Sequence, residues 1–411
     1  MPTLTNVNIS PILREMGDKN WDSRQLVNSH ALLTSIEKDT SAMSGDYWKI
    51  PVQYGNPTGR SHDSTVAVTN RTPSKYKNFN VTPVSDFLNF ALDGIVVRKA
   101  ANSSDRTSFV DALKQEVFSA LQETGNNIAK EAYGNNGGAR GQVASFTGAT
   151  ITLGNTTANV PSQAVNFAAG MVLNVASTDG TSGAIRTGTV TILGVSLGTG
   201  VITCTGTVTT GIAAIAANDY IFQNGDFGVA AFGLDSWNPA SDPTSTAFFG
   251  VDRSVAPTFL GGMRYDGSLN DSMETVFISA DAILGLQPGS PFGANSTYFI
   301  NPVSLGSLRV AKEGQRLIDS DNEYGLGIKT FITSSGHRIV EDRDCPQGIA
   351  RCVAKGYFWW MTNGDLPGLA ETDGVSMRYT ESGDIFSASV VIDHQFGAMP
   401  QGLARIVLPV S

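Results

Sequence analysis

Hydrophobic positions along this chain follow two rhythms, and the slower one organises the rest. Across residues 104–133, Phe109, Leu113, Val117, Leu121 and Ile128 recur at three- and four-residue spacing, with Val110, Ala120 and Thr124 beside them. That spacing lays one apolar stripe along a helix. Asn102, Ser103 and Ser104 offer N-cap oxygens, Asp105 sits in the first turn, and Gly134 stands where a helix would stop. About 30 residues at 1.5 Å rise give a rod of about 45 Å, well beyond an average helix. The pattern predicts a helix that spans the molecule.

Elsewhere the period falls to two. Tyr47 to Tyr54 reads as an extended run that leads into the Gly/Pro-rich stretch Gly55 to Arg60. A second extended run follows, in which Lys77, Phe79, Val81 and Pro83 alternate with more polar neighbours. The prediction is a two-stranded ribbon with a basic tip that carries Arg60, Arg71, Lys75 and Lys77. Such a ribbon is not stable alone and must lie on another surface. Tyr47, Trp48, Ile50, Val52, Tyr54, Phe79 and Val81 are too many large apolar groups for a free flap, and a neighbouring subunit is the expected cover. Residues 1–45 are mixed and polar, with a weak helical pattern at Leu26, Leu32, Leu33 and Ile36. They read as an arm that packs on something else, a neighbouring copy among the candidates.

Composition changes abruptly after the helix. Between Gly141 and Gly225 the only charged residues are Asp179, Arg186 and Asp219. In Val201 to Thr209, Ile202, Cys204 and Val208 share one face and threonines the other. Short strands with glycine turns at close spacing predict a small β-barrel or sandwich, inserted into the chain. Val, Ile and Phe are too frequent here for a disordered linker.

From Asp226 onward the pattern is mixed, so the whole chain reads as α+β. Thr297 to Ile300 is a strand; Asn301 then caps and Pro302 starts a helix through Leu305, Leu308, Val310 and Leu317. Residues 328–333 and Arg338 to Val340 are strands separated by Ser335-Gly336. Ala354 to Met361 reads as one buried strand, and Ala404 to Val410 as the last.

Charge narrows the function. A net charge of −9 and a charged fraction of only 16% argue against a nucleic-acid-binding surface. Three scattered cysteines, Cys204, Cys345 and Cys352, do not make a disulfide framework and are expected as free thiols in a reducing compartment. The first residues show no basic-then-apolar leader, and no stretch reaches membrane-spanning length.

Catalytic patterns are sparse. Gly194-Val195-Ser196-Leu197-Gly198 matches the G-x-S-x-G nucleophile elbow, which needs a strand before it and a helix after it. Another strand, Val201 to Thr203, follows instead. His30, His62, His337 and His394 have no metal-ligand spacing and read as surface or satisfied polar residues. Cys345 and Cys352 stand seven apart with no second pair, a poor zinc pattern. No phosphate loop or H-E-x-x-H helix occurs. Glu371, Asp373, Glu381 and Asp384 lie in a Gly-rich stretch and read as solvated turns. No catalytic, cofactor or metal residue is expected.

The order of parts resembles the major capsid proteins of tailed bacteriophages, the Hong-Kong-97-type or Johnson fold. The features that carry it are the 47–84 ribbon ahead of a long spine helix, the strand–Asn301-Pro302–helix unit, and Gly336 to Asp342 followed by Pro346-Gln347-Gly348. The resemblance implies an N-terminal arm at 1–45, an extended loop at 46–101, the spine helix at 102–140 and a β-rich insertion domain at 141–225. The peripheral domain would continue through 226–280, an axial domain would span 281–395, and a closing strand 396–411. It implies a non-enzymatic head protein that forms hexamers and pentamers around double-stranded DNA. Scaffolding, portal and decoration proteins would be its partners, with assembly in the bacterial cytoplasm and no membrane. Inter-subunit contacts are expected at Tyr47, Trp48, Lys49, Arg60, Arg71, Lys75, Lys77 and Phe79. Lys49, Lys75 and Lys77 lie on the ribbon, but no covalent crosslink partner is matched. Two other readings are an encapsulin-type shell, which usually lacks a large β insertion, and a β-rich tail or adhesion protein, which would not need the long helix.

Overall fold

The computed structural model describes residues 30–40, 46–93, 107–155, 158–159, 161–293, 295–313, 331–333, 335–363, 368–370, 378–380 and 385–409. Residues 30–40 hold a short helix α1 (Ala31–Ser35) and strand β1 (Glu37–Asp39). The ribbon follows, with β2 (Trp48–Gly55) antiparallel to β3 (Lys75–Val81) and a small helix α2 (Ser64–Thr69) between them. Strand β4 (Val84–Asp93) precedes the long helix α3 (Thr107–Tyr133).

Helix α3 has 27 residues, a length of about 40 Å. Ala120, Leu121, Thr124, Ile128, Ala129, Ala132 and Tyr133 are buried along it, the face that the 3.6-residue period requires. Asn102, Ser103, Ser104 and Asp105, and the side chains of Phe109, Leu113 and Val117, lie outside the description. The helix ends where expected, but Gly134 is not the left-handed residue. Asn136 (φ 66) and Gly138 (φ 81) take that role two and four positions on.

Beside α3 runs a sheet built on the long strand β20 (Ile385–Ala398). β4 pairs along one edge of it, from Val84 opposite His394 to Asp93 opposite Ile385. β17 (Phe358–Thr362), β18 (Gly368–Leu369) and β19 (Arg378–Thr380) also pair with β20, and β1 adds in parallel to β17. The arm segment 30–39 therefore docks on its own subunit, with Leu32 only 1% exposed.

Seven strands between Gly141 and Gln223 form a second sheet and pair only with one another among the described residues. They are β5 (Gly141–Thr147), β6 (Thr150–Asn155), β7 (Ala158–Asn159), β8 (Val172–Ala176), β9 (Val190–Ser196), β10 (Val201–Cys204) and β11 (Tyr220–Gln223). Their order is β10-β9-β8-β11-β5-β6-β7, and β10 also pairs with β6, which closes six of the strands into a barrel and leaves β7 attached to β6 alone. Val143, Ile151, Leu173, Val175, Ile202 and Ile221 fill its separate core. The two ends of the barrel segment meet at a neck. There Arg140 pairs with Asp226 at 3.2 Å, and Gly138 passes so close to the Asp226 carbonyl that a Cβ would stand 2.2 Å from it.

The third sheet runs β12 (Met263–Asp266), β21 (Leu403–Val407), β16 (Ile349–Ala354), β13 (Ser296–Ile300), β15 (Arg338–Glu341) and β14 (Phe331–Ile332). Helices α4 (Met273–Gly285) and α5 (Pro302–Glu313) accompany it. As expected, Asn301 caps α5: its Oδ1 accepts the Val303 N–H at 3.0 Å. Residues 354–361 are not one strand. Gly356 turns the chain with φ 79, and β16 and β17 belong to different sheets. The stretch 281–395 accordingly divides between two sheets, with β12 and β21 recruited to the third from outside it. Leu317 and residues 328–330 lie outside the description.

Candidate inter-subunit surface

The root of the ribbon is pinned by the subunit's own aromatic core. Trp48 lies opposite Val81 and Ile50 opposite Phe79, so these four side chains share one face. The Phe79 ring meets Trp237 edge-on at 5.2 Å and Phe248 at 6.2 Å, and the Asn80 N–H donates to the Phe249 carbonyl at 3.1 Å. Trp237 is itself fully buried, and its Nε1 donates to the Phe396 carbonyl at 3.0 Å. Arg253 lies over Phe248 at 4.0 Å and donates to the Ser236 carbonyl, closing the loop from behind.

This corrects the expectation for two residues. Trp48 is 6% exposed and Phe79 fully buried, so neither offers a surface to a neighbouring copy. The loop at 232–249 covers them from within the chain. Alternation inside the ribbon shows that one face is apolar but not which part of the fold covers it.

The tip differs. Thr58 donates its N–H to the Thr72 hydroxyl at 2.8 Å, and the two hydroxyls lie 2.6 Å apart, tying the strands together beyond Gly55. Asp63 caps α2 by accepting the Thr65 N–H at 2.7 Å, and Arg71 Nε donates to the Val68 carbonyl at 3.1 Å. Lys49, Arg60, Arg71, Lys75 and Lys77 are exposed, and Tyr47 is half-buried with the Lys49 ammonium 5.5 Å from its ring centre. Between Asn56 and Lys77, four cations face one acid, Asp63, on a chain whose net charge is −9. Sequence reading passed over Val66, Val68 and Tyr76, which are 44%, 58% and 58% exposed. They add apolar area to the basic tip. Their signal was present as β-branched and aromatic residues in a polar loop.

Most of the groups considered for chemistry are buried in contacts within the fold. Ser196 is exposed at the turn between β9 and β10, where its carbonyl accepts the Gly200 N–H at 2.9 Å and no helix follows. Of the histidines, His62 is exposed and the other three are buried beside carboxylates. His30 Nδ1 lies 2.5 Å from Asp344, and His337 Nδ1 lies 2.8 Å from Asp281. Tyr298 donates to the same Asp281 oxygen at 2.6 Å. Burial alone would raise Asp281, but hydrogen bonds from His337, Thr333 and Tyr298 outweigh it and hold the group at about 2. His394 Nδ1 accepts the Trp360 indole N–H at 3.4 Å, which leaves the proton on Nε2, 3.5 Å from Glu131. Burial pushes His394 down to about 4 and Glu131 up to about 7. The three cysteines are free and buried, and burial pushes all three thiols above their ordinary range. Among the described residues no three His, Cys, Asp or Glu side chains gather as metal ligands. Glu371, Asp373, Glu381 and Asp384 lie outside the description. No described helix is long and apolar enough to cross a membrane.

No protein-family model matches the chain, and no curated protein matches it. Solved structures do. A chain of the cyanophage A-1(L) capsid asymmetric unit is similar over 97% of this chain and 99% of its own length, at 11% identity and a TM-score of 0.55. A chain from the capsid of a native GTA particle aligns over 92% and 90% at 8% identity and a TM-score of 0.46. The holo-SrpI encapsulin of Synechococcus elongatus PCC 7942 aligns over 92% and 86% at 9% identity and a TM-score of 0.39. The first of these shows the fold: the chain is an α+β protein with the architecture of a phage capsid subunit.

Proposed function

We propose that the chain is the major structural subunit of an icosahedral phage head, which assembles with copies of itself around double-stranded DNA and catalyses no reaction. The observation that carries this reading is the end-to-end likeness to the cyanophage A-1(L) capsid chain, 97% of one against 99% of the other. The ribbon supports it from within the molecule. Its root is fixed in the core, while its tip holds a basic and partly apolar surface away from that core. A tip of this kind suits a shell, in which rigid bodies make many similar contacts through extended arms.

In this reading Tyr47, Lys49, Arg60, Arg71, Lys75 and Lys77, joined by Val66, Val68 and Tyr76, contact the next subunit in hexamers and pentamers. Acidic groups on that subunit meet the basic tip; such rim pairs each add little energy but set register. The net charge of −9 suits a container whose DNA must slide and condense without being gripped. Residues 141–225 are an insertion domain on the shell subunit. Scaffolding, portal and decoration proteins complete the proposed set of partners, with assembly in the host cytoplasm.

Deleting Asn56 to Thr72 tests the contact surface. The deletion leaves Pro73-Ser74 as a short turn between Gly55 and Lys75, which are already register partners. The expected product is a folded subunit, by circular dichroism and thermal melting, that no longer closes into particles by light scattering. A deletion that assembles like the parent removes the tip from the interface.

A further inference from the structure

A cleft of about 170 Å³ opens where α3, the barrel neck and the loop after β15 meet. Glu123, Asn126, Asn127 and Lys130 line it from one face of the helix, at the three- and four-residue spacing that stacks side chains. Arg140 at the neck, Phe167 and Met171 of the barrel, and Arg343 complete the walls.

Most polar groups of this cleft are donors, and the acceptors beside them, Glu123 apart, are already engaged. Asn126 Oδ1 accepts from Arg343 at 2.6 Å, and Asn127 Oδ1 accepts from Arg140 at 2.8 Å. Each amide therefore has its oxygen engaged and its NH₂ available. Asp344, the acid nearest Arg343, is taken up by His30 at 2.5 Å and by Arg343 Nε at 3.6 Å. Asp226 is taken up by Arg140 at 3.2 Å. Lys130 makes no hydrogen bond or ion pair among the described residues. Burial, and then Arg140 beside it, push its ammonium well below the usual lysine range. Glu123 is the lining acid that makes no hydrogen bond or ion pair among the described residues; it sits two helical turns from Lys130, and its charge opposes part of that downward push.

We propose that this cleft is a binding site for a small oxyanion of the phosphate class, held by Lys130 and the amides of Asn126 and Asn127. Such a ligand supplies several acceptor oxygens to Lys130 and the two amides, whose donors have no acceptor among the described residues, through charge-assisted bonds. Met171 and Phe167 shield one side from water, and the volume admits one such ion with room for water. The inference concerns the isolated subunit and does not depend on shell assembly.

The test is calorimetric titration of inorganic phosphate into the full chain, in chloride buffer near neutral pH. One site per chain is expected. Lys130→Met should weaken binding about tenfold or more, the loss of one charge-assisted bond, and Lys130→Arg should retain it. Met171→Glu, which changes none of the donors, should abolish binding by placing a carboxylate in the wall, and it stands as the test if Lys130→Met does not fold. Absence of phosphate heat with the parent chain, or equal affinity in Lys130→Met or Met171→Glu, overturns the proposal.

Discussion

Tyr133, the last residue of α3, donates its hydroxyl to Asp342 Oδ2 at 3.0 Å, and the same oxygen accepts the Leu32 N–H at 2.8 Å. One buried carboxylate thus joins the N-terminal segment, the long helix and the end of β15. Its other oxygen accepts the Asp344 N–H at 3.1 Å, which shapes the following turn. Burial raises both Asp342 and Tyr133 above their usual ranges. Tyr133→Phe removes one donor and should cost about 1 kcal/mol, whereas Asp342→Ala strands two buried donors and should cost roughly 3 kcal/mol or more. Denaturant melts of the two variants check the order. Equal losses would mean that Asp342 is not the junction.

The ribbon should respond oppositely at its two ends. Phe79→Ala opens a hole beside Trp237 and should destabilise the subunit by roughly 3–5 kcal/mol. Arg71→Ala, on the exposed tip, should change stability by no more than about 0.5 kcal/mol. Thermal melts of unassembled protein separate the two, and a harmless Phe79→Ala would contradict the internal anchoring of the root.

The His394–Glu131 pair makes a prediction about pH. His394 is held near 4 when folded and returns to about 6.5 unfolded, so the unfolded state binds the extra proton and its contribution falls as pH drops through that window. Glu131 is held near 7 and returns to about 4.5, so the folded state binds the extra proton and its contribution rises on acidification. Together they nearly cancel between about 4.5 and 6.5, with Asp86 and Asp393 as the other acids near the ring. Glu131→Gln should therefore lose stability on acidification across this range more steeply than the parent, and His394→Gln should gain. Parallel profiles for all three proteins would show that the pair is not coupled in this way.

Replacing residues 141–225 with a short Gly/Ser linker should leave the remainder folded. The barrel has its own core, and its ends meet at the Arg140–Asp226 neck. Near-UV circular dichroism, which reports the environment of Trp237, should keep its native signal. Loss of that signal would show that the barrel and the rest fold as one unit.

Local pattern revealed much of this architecture. Trp48, Ile50 and Val52 alternate as a one-sided strand must; Leu121 and Ile128 repeat as a helix face must; the barrel stands out as a stretch almost without charge. What escaped is set by contacts distant in sequence. Phe79 reads as an apolar group for a neighbouring subunit to cover, whereas the loop carrying Phe248 covers it within the chain. The run around Tyr357 reads as one strand because its hydrophobicity is continuous, while Gly356 sends its halves into separate sheets. His30, His337 and His394 look like isolated polar residues because Asp344, Asp281 and Glu131 reach them only after folding. At the tip, Arg60 and Arg71 were readable from charge. Val66, Val68 and Tyr76 became candidates only once the root was seen to need no neighbour.

Shell formation is the central claim, and electron microscopy of the purified full-length chain, alone and with a co-expressed candidate scaffolding protein, tests it most directly. The account predicts closed particles of uniform diameter built from five- and six-fold clusters. A chain that stays monomeric under every such condition, with its fold intact by circular dichroism, would contradict it.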